Sequence, residues 1–287
     1  MDEAVENFVA ALASQRKSSQ NTLGAYRTDL RQLSDFLSQH AVSSWQDASP
    51  ALVADFLLHL RQRQYATTSI ARKVAALKSF FQYLVVTNAI TANPSQALQA
   101  PRVEKELPRA LTPSEVERLF EAVRNSAGPV QRDLAMLHTI YSTGMRVTEL
   151  VSLNVAHVDL ARGHVRCAGQ NHKERVLPLS LAAQSAIGGY VDGERRLLLR
   201  RPSEQALFLN HHGERLTRQG FWLIIKGHAR SAGLPNITPH TLRHSFALDM
   251  LGRGMELRSV QELLGHASIS TTHIYRQLQR AQIVTVP

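Results

Sequence analysis

The chain contains almost no cysteine. Cys167 is the only one among 287 residues, which excludes an intrachain disulfide and a metal site built on clustered cysteines. The sequence also lacks an uninterrupted apolar run of the roughly 18–20 residues that a membrane-spanning helix needs. The N-terminal Met1-Asp2-Glu3 has no basic region followed by an apolar stretch, so no signal peptide is predicted. These absences favour a cytoplasmic protein.

Internal repeats and low-complexity tracts are absent as well. No group of carboxylates or histidines has the spacing of metal ligands, so neither a metal nor another cofactor is predicted. The chain does have 44% hydrophobic residues, enough for one large or two ordinary cores, and a net charge of +10. Residues 1–100 hold only nine Lys/Arg against seven Asp/Glu, so most of the positive excess lies in the remainder. This charge favours a polyanionic partner but does not distinguish DNA from RNA or anionic lipid.

Residues 1–92 predict four helices, because apolar residues recur there at helical spacing. Four such stripes make a small helical bundle. Ser19 is a candidate N-cap for the second helix. The stripes are Val5, Phe8, Val9 and Leu12; Leu23, Tyr26, Leu30, Leu33 and Leu37; Leu52, Phe56, Leu57 and Leu60; and Ile70, Val74, Leu77, Phe81 and Leu84.

Prolines and charged residues then predict an interdomain linker over residues 93–110. A second domain, 111–287, opens at a capping box formed by Thr112 and Glu115 around Pro113. It is predicted to be mostly helical, with strands near 164–167 and 175–179 around a turn at 169–172, and a third short strand at 207–209. Further helices are expected at 113–124, 130–142, 181–199, 217–232 and 239–264, with Leu257–Leu264 as a separate run that ends at Gly265.

Most of the chemically informative residues lie between Thr238 and Tyr275. Thr238 and Pro239 suit a helix start, so His240 and Arg243, three residues apart, share one helix face. Leu264-Gly265-His266 follows, and Tyr275 comes nine residues after His266. Taken singly, each residue has an ordinary explanation as a solvated or packing side chain. Their joint order and spacing favour a shared site.

This pattern resembles the C-terminal box of the tyrosine recombinases, the phage integrase family, and is most similar to its Xer branch. The segment from Gly144 to Leu150, which contains Arg146, resembles the first box of the same family. The resemblance implies a mainly α, two-domain fold: an N-terminal four-helix SAM-like DNA-binding bundle, and an α-rich catalytic domain with a small antiparallel sheet. It also implies that duplex DNA is clamped between the two domains.

The resemblance implies site-specific recombination through a 3′-phosphotyrosyl bond and a Holliday junction. The partners would be double-stranded target DNA and a homo- or hetero-tetramer, with a sister recombinase and a septal DNA translocase as candidates. Chromosome-dimer resolution and mobile-element integration both remain open. Two other functions also remain open: a DNA-binding member of the fold with weakened cleavage, and a nicking enzyme of the type IB topoisomerase kind.

The residue types fit phosphoryl transfer. Tyr275 is the predicted nucleophile, and Arg146 and Arg243 are predicted to clamp the phosphate, because guanidinium groups are permanently charged and bidentate. His240 and His266 are predicted to donate to the phosphate and shuttle the tyrosine proton. The remaining histidines near these motifs, His211, His212, His244 and His273, are expected at the surface or in supporting positions.

One position departs from the family pattern. Its catalytic lysine in the hairpin turn corresponds to Gln170 here, and glutamine cannot deliver a proton as an acid. Lys173, three residues on, is the candidate substitute. The predicted catalytic set is therefore Arg146, Lys173, His240, Arg243, His266 and Tyr275.

The fourth predicted helix carries Arg72, Lys73 and Lys78 between its apolar positions. A solvated face is the commoner reason for such charges. The resemblance gives the alternative, contact with DNA phosphates. Only 12 residues follow Tyr275, which predicts weak self-association away from DNA, because relatives usually continue into a docking helix.

Overall fold

The computed structural model describes residues 1–14, 19–103, 109–168, 174–266, 268–269, 272–276 and 278. The chain divides into two compact units, Met1–Lys105 and Glu106–Pro287. Each unit has a hydrophobic core formed by its own residues. Within the described ranges, no helix is long and apolar enough to cross a membrane.

The first unit is built from four helices, α1 (Asp2–Ser14), α2 (Gln20–Gln39), α3 (Pro50–Gln62) and α4 (Thr67–Val86). They coincide with the four predicted apolar stripes, whose residues are mostly buried here. Ser19 caps α2 as predicted, its side chain accepting a hydrogen bond from Thr22 N. Aromatic rings close the core, with Trp45 packed edge-on against Phe80 at 4.8 Å between ring centroids.

A buried ion pair crosses this bundle from α2 to α4. Lys73 Nζ lies 2.6 Å from Asp29 Oδ1 and 2.5 Å from Gln32 Oε1, and Arg72 also donates to Asp29. Asp29 and Lys73 are 1% and 2% exposed. An ammonium group in this position is already paired and shielded, so the prediction that Lys73 contacts DNA is corrected: it is an interior residue. Arg72 and Lys78 are exposed.

We expect Asp29→Asn to destabilise the protein by about 3–5 kcal/mol, because it leaves the Lys73 ammonium buried without a counter-charge. Urea denaturation of the intact chain measures the decrease in the free energy of unfolding. Glu6→Gln is the matched control, since Glu6 pairs with Arg27 and Arg31 at the surface, where ion pairs contribute little. Equal stability of Asp29→Asn and the parent would contradict the prediction.

The second unit is mostly helical, with a three-stranded antiparallel sheet of order β1-β2-β3. The sheet consists of β1 (Val158–Asp159), β2 (His164–Ala168) and β3 (Glu174–Pro178), and β2 pairs with β3 so that Arg166 faces Val176. The predicted fold class is confirmed. The helices are α5 (Pro113–Arg124), α6 (Val130–Thr143), α7 (Val147–Ser152), α8 (Leu181–Asp192), α9 (Glu194–Leu198), α10 (Arg218–Ser231), α11 (Pro239–Gly252) and α12 (Leu257–Leu264).

Two local predictions differ from the structure. The helix expected over 181–199 is broken at Gly193, where φ and ψ are both −104°. Residues 207–209 are fully buried but form no strand of the sheet; the nearby pairings are isolated bridges, Asn154 with Ala206 and Leu209 with Arg215. The hairpin turn, residues 169–173, lies outside the described residues, as do residues 104–108 of the predicted linker.

Candidate active site

Two left-handed glycines end the helices that lead into the site. Gly144 (φ 60°) follows α6, and a Cβ at this position would overlap the ring of Phe246. Gly265 (φ 63°) follows α12, and a Cβ there would overlap the guanidinium of Arg175. Glycine adopts this backbone conformation at little cost. The two turns therefore bring their carbonyl groups into reach of the arginines.

Arg146 precedes α7 and lies between a carboxylate and one of these turns. Its Nη2 donates to Gly265 O at 2.9 Å, and its Nη1 donates to Glu149 Oε1 at 3.2 Å. Glu149 is buried and also accepts from Arg175 Nη2 at 2.8 Å. The carboxylate thus orients two guanidinium groups and partly offsets their charge.

Arg243 on α11 is 4% exposed and linked to both glycine turns. Its Nη1 donates to Gly144 O at 2.6 Å and its Nη2 to Leu264 O at 2.5 Å. Burial, with a smaller effect from the nearby charge of Arg146, lowers the pKa of Arg243 to about 10. The guanidinium is therefore still charged at neutral pH.

The two arginines open onto a cleft of about 670 Å³. Its described lining includes Arg146, Arg218, His240 and Arg243, and no carboxylate is among these described residues. Trp222 of α10 forms part of the same wall, and Lys226 Nζ lies 4.7 Å from the centroid of its ring. A cleft that has three guanidinium groups suits an anion such as a phosphodiester.

His266 lies after the second glycine turn and is held by hydrogen bonds. Its Nδ1 lies 3.0 Å from Thr272 Oγ1, and its carbonyl oxygen accepts from Gln261 Nε2 at 3.1 Å. Its ring stacks on that of Tyr275, with 6.3 Å between centroids and an interplanar angle of 11°. Burial and the charge of Arg243 lower the pKa of His266 to about 4, so the imidazole is neutral at neutral pH.

Tyr275 is 1% exposed and packs with Phe246 and Leu264 in a small apolar cluster. Its hydroxyl lies 2.9 Å from Nδ1 of His244. Burial raises the pKa of Tyr275 above its ordinary value, and the charge of Arg243 opposes that effect. The phenol is therefore protonated in this state.

The structure brings five of the six predicted catalytic residues into one region of the second unit, connected through the glycine turns and the helix α11. The sixth, Lys173, lies outside the described residues. His211, His212 and His273 are exposed, as expected. Of the two positions expected for these histidines, His244 has the supporting one: it is half-buried against Tyr275. Glu149 and Arg175 were not predicted, although Glu149 stands three residues after Arg146 at the start of a helix.

Two family models match nearly the whole chain. The phage integrase family model matches residues 109–282, and the model of the phage integrase N-terminal SAM-like domain matches residues 5–88. The chain belongs to the phage integrase family. This confirms the resemblance found in the sequence motifs.

Curated relatives narrow the assignment. The tyrosine recombinase XerC of Herpetosiphon aurantiacus is 50% identical over 285 residues, which is 99% of this chain and 93% of the relative. The tyrosine recombinase XerD of Oceanobacillus iheyensis is 41% identical, with 99% of this chain and 96% of the relative covered. The chain is a Xer-like tyrosine recombinase, and the predicted enzyme class, a tyrosine-type site-specific recombinase, is confirmed.

Solved structures show the same fold at lower sequence identity. The XerH site-specific recombinase bound to a palindromic difH substrate, a post-cleavage complex, has a TM-score of 0.74 at 24% identity and covers 93% of this chain and 79% of that one. A lambda integrase fragment, a dimer bound to a COC′ core site, has a TM-score of 0.75 at 19% identity, with 96% and 95% covered. Both confirm the mainly α fold.

Proposed function

We propose that the chain binds duplex target DNA and breaks one strand by attack of Tyr275 Oη on phosphorus, forming a 3′-phosphotyrosyl bond. The observation that carries this proposal is that Arg146, Arg243 and His240 line a cleft with no carboxylate among its described lining residues. The glycine turn that both arginines contact leads into His266, whose ring stacks on that of Tyr275. Bond energy is kept in the phosphotyrosine, so a 5′-hydroxyl from another strand reverses the step without ATP.

Each side chain has a role that its position allows. Arg146 and Arg243 stabilise the negative charge that grows on the non-bridging oxygens in the transition state. His240, at the cleft, and His266 donate hydrogen bonds to the same phosphate. Burial and the charges of Arg243 and Arg146 lower the pKa of His240, which keeps it neutral at neutral pH. A neutral imidazole still donates one hydrogen bond.

The full reaction is strand exchange through a Holliday junction by four subunits on two DNA sites, in the cytoplasm. DNA is bound by both units, with exposed Arg72 and Lys78 as phosphate contacts in the first. Chromosome-dimer resolution with a sister recombinase and a septal DNA translocase is the role we favour, because relatives that match nearly the whole chain carry the names XerC and XerD.

Binding-site selection from random duplexes, followed by incubation with two copies of the selected site, tests this function. The expected result is a recombinant product and a Holliday-junction intermediate that denaturing gels separate. Selected DNA that is bound but never joined to the protein under these conditions would contradict the recombinase proposal. Joining to one site without exchange between two would instead favour a nicking enzyme.

The leaving 5′-oxygen needs a proton, and we propose that Lys173 supplies it. Lys173→Ala should then slow cleavage of an ordinary phosphodiester by a factor of roughly 10²–10⁴. It should hardly affect a substrate whose 5′-bridging oxygen is replaced by sulfur, because a thiolate leaves without protonation. Covalent-adduct formation on nicked DNA measures both rates.

Gln170→Lys is the matched variant for this test, since it restores the residue type of the family pattern. If Lys173→Ala leaves the rate unchanged while Gln170→Lys raises it at least tenfold, about 1.4 kcal/mol, the assignment of Lys173 is wrong. In that case no lysine acts as the general acid in the parent protein.

A further inference from the structure

The hydroxyl of the proposed nucleophile is hydrogen-bonded to a histidine outside the predicted catalytic set. Tyr275 Oη lies 2.9 Å from Nδ1 of His244, with 5.5 Å between the ring centroids. His244 follows Arg243 on α11 and stands one helical turn after His240. The rings of His240 and His244 are 6.3 Å apart between centroids. His244 therefore stands between the cleft histidine and the buried phenol.

The other two histidines are directed elsewhere. His266 presents its ring face to Tyr275, while its Nδ1 is engaged with Thr272 Oγ1. His240 lines the cleft. Among the described residues, no nitrogen of these two rings lies within hydrogen-bonding distance of Tyr275 Oη, whereas Nδ1 of His244 does.

We propose that His244 is the general base that takes the phenolic proton of Tyr275 during cleavage and returns it during rejoining. The proposal rests on the function proposed above. As the Oη–P bond forms and the P–O5′ bond breaks, the phenolic proton moves to His244 Nδ1, and the 5′-oxygen takes a proton from the separate general acid. In rejoining, a 5′-hydroxyl attacks phosphorus and gives its proton to the conjugate base of the general acid. The P–O5′ bond forms as the P–Oη bond breaks, and the imidazolium returns its proton to Tyr275 Oη.

The resting state has the protonation pattern that this transfer requires. Burial, with smaller effects of His240 and Arg243, lowers the pKa of His244 to about 4, so its ring is neutral and can accept. So weak a base would not ionise a free phenol. A bound phosphodiester brings negative charge beside Arg243, and so opposes the smallest of the three effects that lower the pKa of His244.

His244→Asn separates proton transfer from hydrogen bonding, because the amide oxygen accepts a hydrogen bond but no proton. We expect cleavage of nicked target DNA to slow by a factor of roughly 10²–10⁴, with DNA affinity unchanged. A 5′-bridging sulfur should not restore the rate, since it removes the need for an acid and not for a base. His211→Asn, at an exposed position, is the matched control and should cleave as the parent does.

The decisive measurement is rejoining from DNA with a 3′-p-nitrophenyl ester in place of the phosphotyrosine. The p-nitrophenolate group leaves without a proton, so His244→Asn should join this substrate to a 5′-hydroxyl within about threefold of the parent rate. The same variant should resolve a true phosphotyrosyl adduct slowly. His244→Gln, whose amide reaches further, gives a second variant should Asn disturb packing.

Three results would overturn the proposal. A His244 variant that binds DNA normally but is slowed by the same factor on the p-nitrophenyl ester and on the phosphotyrosyl adduct would show that His244 has a structural role. An unchanged cleavage rate shows no role. Faster cleavage by the variant would show that the hydrogen bond from His244 holds Tyr275 in an inactive position. Failure of the parent chain itself to form an adduct would instead contradict the assignment of Tyr275 as nucleophile, independently of His244.

Discussion

Tyr275→Phe should bind target DNA with the affinity of the parent and form no covalent adduct. The substitution removes the only oxygen proposed to attack phosphorus and keeps the ring that packs with Phe246 and Leu264. Its cost to folding should be small, on the order of 1 kcal/mol, because a single hydrogen bond to His244 is lost. A gel-shift titration and an SDS-resistant band on nicked DNA measure the two properties in one preparation.

Tyr141→Phe is the control for this prediction. Tyr141 is a half-buried tyrosine of the same unit, on α6, and has no proposed part in the reaction. It should give the adduct at the parent rate. An SDS-stable adduct formed by Tyr275→Phe would show that another residue is the nucleophile.

Helix ends and faces were the part of the fold that the sequence predicted well, because local chemistry determines them. The capping box at Thr112 and Glu115 is present, with both side chains bonded to the opposite backbone group. Thr238 caps α11, and Gly144 and Gly265 end α6 and α12 with positive φ. Such features depend on a few neighbouring residues, so a sequence pattern suffices.

The segment 207–209 shows where local patterns fail. A short apolar run between polar residues predicts a strand, since strands satisfy backbone groups by pairing. Here the backbone groups are bonded to separate partners instead. Leu207 N donates to Leu153 O, Phe208 O accepts from Leu216 N, and two buried arginines donate to the remaining carbonyls. Arg195 Nε donates to the carbonyls of Ala206 and Leu207 at 3.0 and 3.2 Å, and Arg132 Nη1 donates to that of Leu209 at 3.1 Å. Arg195 lies 11 and 12 residues before Ala206 and Leu207, and Arg132 lies 77 residues before Leu209, and periodicity carries no information about either partner.

For the candidate site as well, the sequence predicted some features and missed others. The motifs predicted which residues should gather, but they did not predict which nitrogen contacts the tyrosine hydroxyl. His244 was passed over because it lies outside the His-x-x-Arg pattern. Its position four residues after His240 does place it on the same face of α11, and that spacing was the available signal. For Lys73, the sequence pattern predicted a function that the structure does not support. Its charge fits the pattern of a DNA-facing helix, but Lys73 is paired with Asp29 in the core.

Arg243→Lys should slow cleavage by a factor of roughly 10²–10³, the cost of losing one preorganised donor to a charged transition state. Lysine keeps the charge but has a single nitrogen. It cannot hold the carbonyls of Gly144 and Leu264 as Arg243 does and still face a phosphate. Adduct formation under single-turnover conditions measures the loss. Arg253→Lys, at an exposed arginine just after α11 that pairs with Asp249, should react as the parent does.

A neutral substrate distinguishes charge stabilisation from a purely structural effect of Arg243. In a methylphosphonate, a methyl group replaces one non-bridging oxygen, so much less negative charge develops for the guanidinium to stabilise. If Arg243 acts on that charge, the difference between Arg243→Lys and the parent should shrink at least tenfold on this substrate. If the variant is equally impaired on both substrates, its defect comes from the two unsatisfied carbonyls and the displaced glycine turns. Arg243 would then be a structural link between α6, α11 and α12 and not part of the phosphate clamp.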